Sequence, residues 1–142
     1  MFRFFGVAGT FALLITASAS AETKYPDLRG TWTGQADAVF VAPASKSRIG
    51  ENAEKQPAVF GSAPFTLIIE KQKDRRFSGI VTVKASTKPV VGAVFINGRI
   101  RWAEPGGVVE AELTGRNTLE TCYMRGTEFS QMVSCATLKR EK

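Results

Sequence analysis

The chain has 142 residues, with 19 Lys and Arg against 13 Asp and Glu, a formal net charge of +6 and no histidine. That length suits one domain with a genuine core. The missing histidine excludes the usual Ser–His and Cys–His nucleophile pairs and the commonest zinc ligand.

Residues 1–21 read as a leader. Arg3 is followed by an apolar run from Phe4 to Ile15, and then by small residues ending in Ala19-Ser20-Ala21. This is the layout of a secretory signal peptide with an A-x-A-like cleavage site. The run is shorter than the about 20 residues that a membrane helix needs. Cleavage before Glu22 is therefore expected, with no membrane span after it; an uncleaved anchor is the alternative. Residues 22–142 then form a single exported domain, periplasmic or extracellular.

The first predicted strand is "DLRGTWTGQADAVF", Asp27 to Phe40. Residues 42–58 follow, rich in Pro, Ser, Gly, Asn and mixed charge without apolar periodicity, and read as a long surface loop. A loop of that length is uncommon in a compact domain, where it is either functional or a plain insertion. From Phe60 onward, short alternating runs are separated by turn signals. "FTLIIEKQ" turns through "KDRR" into "FSGIVTVKA". "PVVGAVFI" then meets "RIRWAE" across Asn97-Gly98, a two-residue hairpin signal. Pro105-Gly106-Gly107 leads to "VVEAELT", Gly115-Arg116-Asn117 to "TLETCYM", and Arg125-Gly126-Thr127 to "FSQMVSCATLKR". The expectation is an all-β fold, an eight-stranded antiparallel up-and-down barrel closed on itself.

Alternation assigns the faces. With Trp32 inward, Gly34, Ala36 and Ala38 also point inward, as do Val109, Ala111, Leu113, Leu119, Thr121 and Tyr123. Cys122 and Cys135 fall on the outer face of adjacent strands. The leader places them in an oxidising compartment, so a disulfide between them is expected. On the chain-entropy model it stabilises by about 3 kcal/mol.

"LRGTWTG" and "FTLIIEKQKDRRFSGIVTV" together resemble the calycin barrels, the lipocalin and avidin-like proteins. In that family a Gly-x-Trp on the first strand plugs the closed end, and in lipocalins a basic residue packs over the indole. The resemblance therefore implies structural roles for Gly30, Trp32 and Arg140. The avidin ligand does not carry over. Where avidins place hydrogen-bond donors to biotin, this chain has Val81 and Val83, and it has only two tryptophans, Trp32 and Trp102.

No constellation for catalysis is visible, so no enzyme activity is expected, nor a metal or other cofactor. Two binding readings remain. Phe65, Leu67, Trp102 and Tyr123 line a barrel interior in which Gly34, Ala36, Gly79 and Ala111 leave space. That interior holds a small apolar molecule or is simply packed as a core. Alternatively, loops bind or inhibit a protein or an anionic surface partner. The candidates there are the 42–58 loop and the basic patch Lys71, Lys73, Arg75 and Arg76, with Arg99 and Arg101 as an outer basic row. A charged hairpin also simply keeps a turn soluble. Nucleic acid is not expected, because Trp102 lies in the inward phase and the chain is read as exported. The leading expectation is an exported, non-catalytic protein that holds a small apolar ligand in its barrel.

Overall fold

Gly30 has φ of +124°, a conformation open to glycine and strained for other residues. It separates an irregular incoming segment from the first strand, so Asp27–Arg29 do not extend that strand as the sequence suggested. The computed structural model describes residues 25–41, 57–127 and 130–142. The expected leader and all but the end of the expected 42–58 loop lie outside the described residues.

The strands are β1 (Gly30–Val41), β2 (Val59–Lys73), β3 (Arg76–Val83), β4 (Ser86–Val94), β5 (Ile100–Glu104), β6 (Gly107–Gly115), β7 (Thr118–Gly126) and β8 (Gln131–Arg140). Each pairs antiparallel with its chain neighbours, and β8 returns to pair with β1, closing an eight-stranded barrel. Closure satisfies both edges of the sheet. Cys122 stands directly opposite Cys135 on β7 and β8, and the two form the expected disulfide, with S–S 2.05 Å.

Two local expectations are corrected. The β4–β5 connection is not a two-residue Asn-Gly turn. Phe95 N donates to Arg99 O at 2.7 Å, and Gly98 N donates to Phe95 O at 2.9 Å. The loop is therefore Ile96-Asn97-Gly98, with only Gly98 taking the positive φ, +83°. A three-residue loop needs one such residue, whereas the two-residue type I′ turn needs two. The outer basic row is likewise not formed. Arg99 lies in this turn and not on β5, and Arg101 is neutralised by Glu110 at 2.6 Å while resting over the Phe95 ring.

Alternation along the strands sends one set of side chains into a single core. The incoming segment closes the end of the barrel where β1 starts. Leu28 is fully buried, its N–H donates to Gln72 Oε1 and its carbonyl accepts from Trp32 Nε1, both at 2.8 Å. Gln72 Nε2 donates in turn to Pro26 O at 2.8 Å, so one β2 side chain holds the segment at two points. Arg140 lies outside the indole and donates through Nη2 to Asp27 O. Trp32, Leu67, Ile69, Val94, Ile100, Leu119 and Leu138 fill this half, each at most 2% exposed.

Candidate functional site

The strands run up and down, so β1, β3, β5 and β7 end, and β2, β4, β6 and β8 begin, at the end away from Trp32. Inward-phase residues change character toward that end. In the Trp32 half they are apolar and sealed. Toward the far end, Lys88 on β4, Glu104 on β5, Tyr123 and Arg125 on β7 and Ser134 on β8 are inward in phase yet only partly buried. Small residues complete this end of the wall, Ala36 and Ala38 on β1, with Ala38 paired to Ser134, and Gly61 and Ala63 on β2. A Cβ added at Gly61 would meet nothing within 4 Å. Among the described residues, the barrel is thus sealed at the Trp32 end and lined by partly exposed side chains at the other.

Trp102 lies between the two halves. It is 2% exposed and meets Phe77 edge-on, with ring centroids 6.3 Å apart. Its Nε1 donates to Glu104 Oε1 at 3.2 Å. Burial pushes the Glu104 carboxyl above its ordinary range, while the Trp102 hydrogen bond and the charge of Lys88 act the other way. Burial also raises the Tyr123 phenol, with Arg125 opposing and Glu104 adding to the shift. Tyr123 packs against the backbone of Gly107, which leaves no room for a side chain there. Arg125 Nη2 donates to Ser130 Oγ at 3.2 Å, but its buried Nε meets no hydrogen-bond acceptor among the described residues. One acid, two bases and a phenol therefore surround the inner wall of the accessible end, above a floor that includes Trp102.

The residues singled out from sequence divide between the two halves. Trp102, Phe65 and Tyr123 border the accessible half. Leu67 does not; it pairs with Trp32 and Val81, is fully buried, and belongs to the sealed core. Its alternation correctly indicated an inward side chain, but alternation carries no information about depth along the barrel axis. Gly30, Trp32 and Arg140 form the cap described above. Lys71, Lys73, Arg75 and Arg76 are exposed at the capped end, remote from the accessible mouth. Lys88, Glu104 and Arg125 were not identified from sequence. Their signal was nonetheless present, since Glu104 shares the phase of Trp102 in "RWAE" and Arg125 that of Tyr123 in "YMR".

On the outer wall, β5, β6 and β7 border a groove of about 270 Å³ that includes Arg101, Glu110, Glu112 and Glu120. The Arg101–Glu110 ion pair spans it.

No protein-family model and no curated protein matches the chain. Among solved structures, the chain is similar to the S-type phycobiliprotein lyase CPES from Guillardia theta, at 10% identity and a TM-score of 0.37, over 81% of this chain and 89% of that one. The closed eight-stranded antiparallel topology fits a barrel of calycin type.

Proposed function

We propose that this is an exported, non-catalytic binding protein that takes a small, mainly apolar molecule through the end of the barrel opposite Trp32. The observation that carries this reading is the change along the inner wall, from sealed apolar residues to partly exposed polar ones facing Ala38 and Gly61. A solid core has no use for inward Lys88, Glu104 and Arg125, because desolvating a charge without full pairing is costly. A lined mouth does, since a few polar groups above an apolar floor orient a ligand. Phe65 and Trp102 supply the apolar floor, and Tyr123 and Arg125 supply donors near the rim. The Cys122–Cys135 disulfide is compatible with the oxidising compartment that export implies.

The test is native mass spectrometry of the protein purified from its own exported fraction, beside the same sample denatured. The expected result is a mass excess that vanishes on denaturation. Gly61→Leu fills the mouth without a backbone clash and should abolish the excess while leaving the melting temperature nearly unchanged. A wild-type mass without any adduct under native conditions would count against a resident ligand. An adduct that survives in Gly61→Leu would place it elsewhere on the molecule.

A further inference from the structure

Two turns that are well separated in the chain lie side by side at the capped end. Val94 N donates to Arg75 O at 2.7 Å, and Arg76 pairs with Ala93. The β2–β3 turn is thereby fastened to the start of the β4–β5 turn. Lys73, Arg75 and Arg76 flank one side of Phe95-Ile96, and Arg99 closes the loop on the other. Ile96 is 82% exposed at the tip, and Phe95 is 42% exposed with the Arg101 guanidinium 5.5 Å from its ring centroid. The up-and-down topology brings Arg116 of the β6–β7 turn and Lys142, just beyond β8, to the same end. Asp74 in the β2–β3 turn and Glu141 beside Lys142 offset this charge in part, and Asp27 is engaged by Arg29 at 2.8 Å.

We infer that this end docks on an anionic lipid membrane surface, with Ile96 entering the acyl boundary and the surrounding cations resting among the headgroups. An aliphatic tip ringed by fixed positive charge has the two components such a surface rewards, apolar insertion and attraction to anionic lipid. A single-stranded nucleic acid would instead call for exposed aromatic faces for stacking, whereas the exposed ring of this turn, Phe95, already carries Arg101 and Tyr25 at the same end packs against the core. The inference does not depend on the interior ligand, because the two surfaces occupy opposite ends of the barrel. Docking by the capped end would leave the accessible mouth facing away from the membrane.

The experiment is co-sedimentation of the mature protein with vesicles of phosphatidylcholine alone and of phosphatidylcholine mixed with phosphatidylglycerol. Binding to the mixed vesicles is expected, with loss at high salt. The double variant Arg75→Glu/Arg76→Glu should bind more than tenfold more weakly. Ile96→Ser should weaken binding about tenfold with an unchanged salt dependence, since it removes only the inserted group. All three side chains are exposed, so melting temperatures should match the wild type and a failure to fold is directly visible. Equal sedimentation with both vesicle types, or none with either, overturns the inference. So does binding that is indifferent to Ile96→Ser and fully competed by heparin, which would identify a site for soluble polyanions.

Discussion

Arg140 and Trp32 are direct register partners across the β8–β1 seam, and the Arg140 guanidinium carbon lies 4.4 Å from the centroid of the Trp32 ring. The contact joins the two ends of the barrel sequence, and Arg140 also donates to the carbonyl of Asp27 in the plugging segment. A cation–π contact of this kind contributes about 0.5–2 kcal/mol, and a hydrogen bond about 1 kcal/mol. Arg140→Met keeps most of the apolar stem and removes both interactions. It should lower unfolding free energy by about 1–3 kcal/mol in urea titrations. Arg140→Lys should recover part of the loss; an unchanged midpoint for the Met variant would mean that the seam holds without the arginine.

Gly92 makes a different kind of contact. A Cβ there would run into the Phe77 ring, Arg101 O at 2.6 Å and Trp102 Cβ at 2.7 Å. Backbone on one side and two packed aromatics on the other leave little room to yield. Gly92→Ala should therefore cost about 1–3 kcal/mol by overpacking, with a changed near-ultraviolet circular dichroism signal from Trp102. Gly61→Ala, in open space, is the control and should leave both measurements unaltered.

Two carboxyls should shape the pH dependence of stability in opposite directions. The Arg29 side-chain hydrogen bond holds Asp27 at about 2 against an ordinary 3.8. A lowered acid contributes stability above its unfolded pKa and loses it as pH falls through the folded one. Asp27→Asn should therefore flatten the stability profile between about pH 4 and pH 2, by a small amount because the pair is largely exposed. Glu104 is raised from 4.5 by burial, so its neutral form is favoured in the folded state. Stability should decline as pH rises above its ordinary value, and Glu104→Gln should remove that part of the decline while retaining an acceptor for Trp102. Thermal melts of the three proteins from pH 2 to 8 measure both effects.

Strand count, antiparallel order and the two faces were legible along the chain. Each follows from local terms: a side-chain period of two, and turn residues that interrupt it. Cys122 and Cys135 were placed on a common outer face in this way, and they meet as a disulfide. Local terms also misled where a backbone angle decided the outcome, as at Gly30, which ends the incoming segment, and at Gly98, which carries the turn alone.

Tertiary structure alone decided depth and end. Leu67 and Phe65 share an inward phase, but only the stagger of strands in the closed barrel puts the first in the sealed half. Glu104 and Arg125 carry the inward phase of Trp102 and Tyr123 in the sequence, but only closure of the barrel brings them to a common space. Lys73, Arg99 and Lys142 are scattered in sequence, yet alternate hairpins of an up-and-down barrel deliver their turns to one end. The same holds on the outer wall, where the exposed Val108, Met124, Val133 and Phe60 appear as isolated exceptions to alternation. Register sets Val108 opposite Met124, Met124 opposite Val133, Val133 opposite Val39 and Val39 opposite Phe60, in one continuous row. Alternation is a property of neighbours along the chain, whereas register is fixed by hydrogen bonds between strands, and only the latter determines which distant residues become neighbours.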